Sequence, residues 1–169
     1  MRGKKKVSIW LPAVVIALFA VSCGNKEKFS TTPHIEFVAL EKVSDGTGLD
    51  SQADLIIRFQ DGDGDIGLDE TDKDPAFAKD SPYYYNFFIN LYEKQNGEWV
   101  KIEPPTPLHA RIPHLSSSVP ESIEGKLTIR TFINNPYSAH DTVRLSCYIV
   151  DRALHHSDTI VTPELKIRK

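Results

Sequence analysis

Cysteine is scarce in this sequence, and this limits how the chain can be held together. Only two of the 169 residues are cysteines, Cys23 and Cys147. Cys23 ends an apolar leader and is a candidate for modification there, which would leave Cys147 without a partner for an intramolecular disulfide. Cys147 lies in TVRLSCYIVD, where alternate residues are apolar, so we expect it to pack as a small buried hydrophobic group. The sequence thus excludes a disulfide-stapled scaffold.

Basic residues are few outside the leader. Four of the 20 Lys and Arg residues precede Cys23 and no acidic residue does, so 16 basic residues oppose 23 acidic ones from Cys23 onward, a net charge of −7. Nucleic-acid-binding domains need a basic footprint, so no nucleic-acid partner is expected. The sequence also has no nucleophile elbow, H-E-x-x-H, P-loop or C-x-x-C motif. We therefore expect a protein that is not an enzyme, with a small hydrolase as the least favoured alternative.

Helical periodicity is missing outside the leader, and strand patterns replace it. Seven runs, mostly rich in β-branched or aromatic residues, are separated by turn signals, and Asn96-Gly97 between two of them favours a tight hairpin. This pattern predicts an all-β fold, an Ig-like β-sandwich of about seven antiparallel strands. The runs are HIEFVALEKV, ADLIIRFQ, YYYNFFINLYEK, EWVKIE, GKLTIRTFI, DTVRLSCYIVD and TIVTPELKIRK.

The N-terminal residues have the pattern of a targeting segment. A basic stretch, an apolar run and the small residues of FAVSCG lead to Cys23, which is typical of a bacterial lipoprotein signal peptide over 1–22. The prediction is lipidation of Cys23, a flexible tether over 23–33 and a sandwich domain over 34–169. We expect the protein to be anchored by lipid in the cell envelope, with the outer membrane as the favoured location. A signal peptide cut elsewhere, leaving a soluble periplasmic protein, is the alternative.

The segment QDGDGDIGLDE, residues 60–70, has two possible readings. Gly62, Gly64 and Gly67 spell G-x-G-x-x-G, but Asp63 and Asp65 between them would repel a pyrophosphate, and no helical pattern follows. We therefore expect no nucleotide.

The second reading of this segment is a calcium loop. Carboxylates at alternate positions, with glycines that let the chain curl, can converge on one hard cation. The predicted ligands are Asp61, Asp63, Asp65, Asp69 and Asp72, and calcium is the expected ion. The loop differs from an EF-hand, because Ile66 stands where such loops have glycine. The alternative is a solvated acidic loop tied by Arg111 or Arg152.

Three segments together resemble a known group. FQDGDGDIGL, YNFFINLYEKQNGEWVKI and VRLSCYIVDRALHHSDTIVTPEL are similar to segments of small, largely uncharacterised envelope lipoproteins of Bacteroidota. The resemblance implies an Ig-like sandwich in the cell envelope and no particular activity. Independently of it, Asp151 and Arg152 follow a predicted strand, where they can order their own loop or meet the acidic one.

Aromatic residues are concentrated in SPYYYNFF. On a strand, Tyr83 and Tyr85 would share one face and Tyr84 would lie on the other, so one set belongs to the core and the other is a candidate platform for a glycan or a partner protein. The expected function is an interaction or structural module anchored by lipid, with calcium in its acidic loop. A glycan-binding accessory lipoprotein is the alternative.

Overall fold

The computed structural model describes residues 29–72, 74–115 and 121–169. The predicted signal peptide, Cys23 and the tether up to residue 28 lie outside the described residues. Every strand that the structure describes, and every residue of the hydrophobic core given below, lies between Phe29 and Lys169. A chain that begins at Gly24 therefore keeps all the described elements of the fold.

The described residues form two antiparallel sheets packed as a sandwich, which confirms the predicted fold class. The first sheet has the order β1-β2-β5, with strands His34–Val43, Gln52–Asp61 and Ile123–Phe132. The second has the order β4-β3-β6-β7, and β8 also pairs with β6. Its strands are β3 Phe87–Gln95, β4 Glu98–Ile102, β6 Thr142–Ile149, β7 Ile160–Val161 and β8 Leu165–Lys166, and a short 3-10 helix, Pro75–Phe77, precedes them.

The core lies between the sheets because alternate residues of the central strands are apolar. On β2 and β6 the inward side chains are almost completely buried, and each of the Val, Leu, Ile and Phe side chains contributes about 1.5–3 kcal/mol relative to exposure. Cys147 belongs to this set as a free, buried thiol whose pKa burial raises to about 12, as expected for a packing residue. The inward residues are Ala53, Leu55, Ile57 and Phe59 on β2 and Val143, Leu145, Cys147 and Ile149 on β6.

The predicted hairpin joins β3 to β4. Asn96 and Gly97 both have positive φ, 51° and 91°, the combination that a type I′ turn requires. This part of the prediction is confirmed.

Two predicted strands differ in extent from those observed. Tyr83–Tyr85 were expected on a strand, but β3 begins only at Phe87, because a turn closed by a hydrogen bond from the Tyr84 amide to the Ser81 carbonyl precedes it. The last run divides into β7 and β8. Pro163 lies between them, and proline has no amide hydrogen to continue the pairing with β6.

Strand direction puts different loops at the two ends of the sandwich. Asp61 ends β2 at the same end as Ile149, the last residue of β6, since Ala153 from the loop after β6 contacts the loop after β2. Phe132, which pairs with Gln52, lies at the opposite end. The loops after β2 and β6 therefore meet, which brings parts of both sheets to one site.

Candidate metal centre

Asp61 occupies a core position. It follows Phe59 on the inward face of β2, and its relative exposure is 0%. Neither oxygen of its carboxylate has a hydrogen-bond partner among the described residues. An ionised carboxylate buried in this way costs several kcal/mol unless a charge compensates it.

Two more carboxylates converge on Asp61. One oxygen each from Asp61, Asp63 and Asp65, here called the aspartate trio, lie within 4.8 Å of one another. The Oδ1 atoms of Asp63 and Asp65 are also buried without a hydrogen-bond partner. The alternation of carboxylates, read from the sequence, thus produces the predicted convergence.

Glycines give the loop its shape. Gly64 has φ +69°, and a Cβ atom there would lie 2.2 Å from the carbonyl oxygen of Glu121. A Cβ atom at Gly62 would lie 2.3 Å from the carbonyl oxygen of Phe29, and the Gly62 amide donates a hydrogen bond of 2.7 Å to the Ser30 carbonyl. The trio is therefore held against the segment by which the N-terminal part of the chain enters the sandwich.

The electrostatics of the trio favour a bound cation. Burial, together with the nearby charges of Asp63 and Asp65, raises the pKa of Asp61 to about 7. Burial and the charges of Asp151 and Asp63 raise the pKa of Asp65 to about 6. Both shifts mean that the fold disfavours the ionised forms of these groups, which a cation would stabilise.

The second sheet contributes the other wall of the centre. Asp151 follows β6, is 1% exposed, and accepts hydrogen bonds from the His155 amide (2.7 Å), with His155 Nδ1 at 3.0 Å. Burial raises the pKa of Asp151, and its contacts with His155 oppose this. The Ala153 amide donates to Oδ2 of Asp65 at 3.1 Å. Of the two roles expected for Asp151 and Arg152, Asp151 orders its own loop through His155, and Arg152 meets the acidic loop at Asp72. The contact of Ala153 has no sequence signal, because any residue supplies an amide.

Asp69 and Asp72, predicted as ligands, are not part of the trio. The Asp72 carboxylate pairs with Arg152 through both guanidinium NH groups, and this pairing lowers the pKa of Asp72. Asp69 is exposed, and its carbonyl oxygen accepts a 2.6 Å hydrogen bond from Arg111. The second half of the loop is therefore tied by the two arginines named in the solvated-loop alternative, while the first half forms the trio.

The donor set of the trio determines its chemistry. It consists only of carboxylate oxygens, which bind hard cations, and contains no imidazole or thiolate of the kind that zinc and copper prefer. The buried oxygens of Asp61 fit a cation, since burial and the neighbouring carboxylates raise the pKa of Asp61 and the backbone amide of Ile66 opposes this only in part. The group Asp61–Asp63–Asp65 can hold a metal ion.

Tyr83, Tyr84 and Tyr85 do not form a flat platform. All three are partly buried in the turn before β3. Tyr83 meets His156 at an interplanar angle of 90°, and Tyr84 meets Tyr85 at 73°. The Arg111 guanidinium lies over the Tyr84 ring, 5.1 Å from its centroid. A sugar ring stacks on an exposed aromatic face, and the tilted arrangement of these rings gives the glycan alternative no support.

Comparison with known proteins provided no relative. No family model matches the chain, and neither a curated protein nor a solved structure is significantly similar to it. Within residues 29–72, 74–115 and 121–169, no helix is long and apolar enough to span a membrane. The functional conclusions below rest on the residues of this chain alone.

Proposed function

We propose that this chain is a non-enzymatic, lipid-anchored envelope protein, a structural or interaction module whose β-sandwich binds one calcium ion in its aspartate trio. The ion has a structural role, since the trio joins the ends of the two sheets. The anchor is the acyl group on Cys23, and the expected location is the outer membrane.

The observation that carries the proposal is the environment of Asp61. Its carboxylate is fully buried, both oxygens lack a hydrogen-bond partner, and two further carboxylates point at the same place. Three anions this close repel one another by roughly 1 kcal/mol per pair even in a water-like dielectric, and by more when buried. A divalent cation offsets both the repulsion and the burial of charge.

Calcium fits these ligands better than magnesium does. Calcium accepts six to eight oxygen ligands in flexible geometry, whereas magnesium requires a near-ideal octahedron and retains several waters. Asp61 is shielded from solvent, and the backbone packs too closely at Gly62 and Gly64 to admit a side chain. A buried carboxylate favours calcium, because magnesium gives up its waters reluctantly.

The position of the centre indicates what the ion does for the fold. Asp61 ends a strand of the first sheet, and Asp65 is bonded to the loop that follows β6 of the second sheet. The adjoining glycine, Gly62, holds Ser30. The seven residues from Cys23 to Phe29 can span at most roughly 25 Å, so a lipid on Cys23 places the calcium end of the sandwich toward the membrane.

Thermal melts of the chain from Gly24 test calcium binding. A ligand at a hundredfold excess over its Kd stabilises the native state by about 2.7 kcal/mol, which raises the Tm of a domain of this size by roughly 5–10 °C. We expect such a rise when calcium replaces EGTA, and a smaller rise with magnesium. The matched variants are Asp63→Asn, within the trio, and Asp69→Asn, in the same loop but outside it.

The two variants make the outcome specific. Asp69→Asn keeps the calcium response, and Asp63→Asn weakens or abolishes it. Equal melts of the unmodified chain in calcium and EGTA would refute the proposal, as would a response that Asp63→Asn leaves unchanged.

Lipidation is tested separately on the full chain. Expressed in a Gram-negative host, it should gain acyl mass on Cys23 and fractionate with membranes, whereas Cys23→Ala should not. A soluble, unacylated product from the full chain would disprove the anchor and leave the calcium proposal intact.

A further inference from the structure

The strand β5 forms one edge of the first sheet. Among the strands that the structure describes, it pairs only with β2. No backbone hydrogen bond joins its other side to any part of the chain that the structure describes. The strand is ten residues long, contains no proline and has no break in its register with β2. An edge with these properties can accept another strand.

The register shows which groups point outward. Ile133, opposite Ser51, donates its amide to the Ser51 carbonyl. Hydrogen-bonded and free positions alternate along an antiparallel strand, so odd-numbered residues of β5 bond to β2. The amides and carbonyls of the even-numbered residues face the open edge, namely those of Glu124, Lys126, Thr128, Arg130 and Phe132.

The other edges of the two sheets are less suited to pairing. On β1 the register with β2 shifts between Phe37 and Ala39, which bends the strand. In the second sheet, β4 has five residues and β7 and β8 have two each. Among the described strands, β5 is therefore the long, regular edge.

Charged side chains on β5 limit what can pair with it. Glu124, Lys126, Thr128 and Arg130 are exposed on the outer face of the sheet. Charges on an edge ordinarily prevent indiscriminate pairing, because like charges directly opposite one another are destabilising. A partner strand must therefore match this pattern.

A second copy of β5 meets this requirement in one register. Two antiparallel copies must align even residues with even residues, since these carry the free groups and share one face. Two such registers overlap over nine residues, one symmetric about Thr128 and one symmetric about Leu127. The first sets Lys126 opposite Arg130 twice. The second sets Glu124 opposite Arg130 twice and Lys126 opposite Thr128, so opposite charges face each other.

In the register centred on Leu127, the side chains that point toward the core are also complementary. Leu127 would lie opposite Leu127 of the second copy, and Gly125 would lie opposite Ile129 of the second copy. Leu127 and Ile129 are only partly buried although they point toward the core, because no strand covers the edge beside them. Pairing would remove this remaining apolar surface from water.

We infer that the protein associates with a second copy of itself through β5, in the antiparallel register centred on Leu127, so that the two first sheets join into one six-stranded sheet. The contact is a single strand pair, and interfaces well below about 1,200 Å² are weak or transient. The dimer is therefore expected to form in the micromolar range or above. On a membrane, anchoring would raise the local concentration and favour it.

Sedimentation velocity of the chain from Gly24, from micromolar to millimolar concentration, tests the inference. We expect the weight-average sedimentation coefficient to rise from the monomer to the dimer value. Thr128→Pro removes an outward-facing amide that β2 does not use, and proline is tolerated at such edge positions. This variant should remain monomeric with a near-native circular dichroism spectrum. The matched control, Thr128→Val, keeps the amide and should still dimerise.

Hydrogen exchange identifies the register. As concentration rises, the amides of Glu124, Lys126, Thr128 and Arg130 should become protected at least tenfold, while those of Gly125, Leu127 and Ile129 are protected throughout. An unmodified chain that stays monomeric at millimolar concentration overturns the inference. A dimer that Thr128→Pro leaves intact, or that protects none of the four even-numbered amides, overturns it as well.

Discussion

Asp61 lies two residues after Phe59 on the same inward face of β2, so a carboxylate takes the place where the strand would otherwise present another apolar side chain. Phe59 packs in the hydrophobic core, and Asp61 is buried beside it without a hydrogen-bond partner for either oxygen. The fold tolerates this arrangement only if the charge is neutralised by a proton or a cation. The first two predictions test which of these it is.

Replacing Asp61 with asparagine should change stability in opposite directions with and without calcium. In EGTA at neutral pH, Asp61→Asn removes a buried charge and its repulsion with Asp63 and Asp65, so the Tm should rise. In excess calcium the variant loses a ligand, and the Tm should fall below that of the unmodified chain. The measurement is a pair of thermal melts for each protein. If Asp61→Asn is less stable in both conditions, its carboxylate is compensated in some way other than by a cation.

The metal-free protein should lose stability as pH rises from about 5 to about 7, above the range in which the carboxyls with lowered pKa values, such as Asp50 and Asp72, gain theirs. The folded-state pKa of Asp61 is about 7 and that of Asp65 about 6, both above the ordinary value of 3.8. The unfolded chain binds fewer protons in this window, so the free energy of unfolding falls as pH increases. His155, whose pKa is raised by Asp151, acts in the same direction near and above its ordinary value.

Urea denaturation in EGTA at a series of pH values measures this slope. Asp61→Asn isolates the contribution of one group, and its curve should be flatter over the same window. In excess calcium the slope of the unmodified chain should lessen or reverse, because protons compete with the ion for the carboxylates. A metal-free curve that rises steadily from pH 5 to pH 7 would contradict the pKa shifts of Asp61 and Asp65.

The aspartate trio could be predicted because it is encoded locally. Asp61, Asp63 and Asp65 follow a strand at alternate positions with glycines between them, and this spacing alone brings their carboxylates together. The fate of Asp72 is not local, because its partner Arg152 lies eighty residues later in the chain. Only the packing of the loop after β6 against the loop after β2 determines that Asp72 forms an ion pair.

The strands, like the acidic loop, could be predicted where the signal is local and not where distant contacts decide. Asn96-Gly97 marks its hairpin because positive φ is a property of those two residues. The tyrosines before β3 have high strand propensity, yet a turn from Ser81 to Tyr84 overrides it. Glu93 had no signal of burial, since a glutamate near a hairpin ordinarily faces solvent. Its carboxylate is contacted by Gln95, two residues later, and by Lys169, which is distant in the sequence.

Gly64 should be intolerant of a side chain for two separable reasons. Its φ is +69°, and an added Cβ would lie 2.2 Å from a backbone carbonyl oxygen. Gly46 has a similar φ of +81° with nothing within 4 Å of its Cβ position. Gly46→Ala should therefore cost about 1–2 kcal/mol, the strain of the left-handed conformation, and Gly64→Ala should cost more and abolish the calcium response. If urea denaturation gave the same loss of stability for both variants, the backbone near Gly64 would accommodate the added Cβ at no cost in free energy.

Lys169 should stabilise the fold more than Lys166 does, because its carboxylate partner, Glu93, is buried. Glu93 is 0% exposed, its Oε1 has no hydrogen-bond partner, and Lys169 Nζ lies 3.6 Å from it. Without Lys169 the buried Glu93 carboxylate keeps only the hydrogen bond from Gln95 Nε2 to its Oε2, so Lys169→Met should cost about 1–3 kcal/mol. The control, Lys166→Met, breaks an exposed pair with Asp141 and should cost about 0–1 kcal/mol. The double variant Glu93→Gln, Lys169→Met should recover most of the loss, since no charge then remains buried. If the two single lysine variants unfold at the same urea concentration, water rather than Lys169 compensates Glu93.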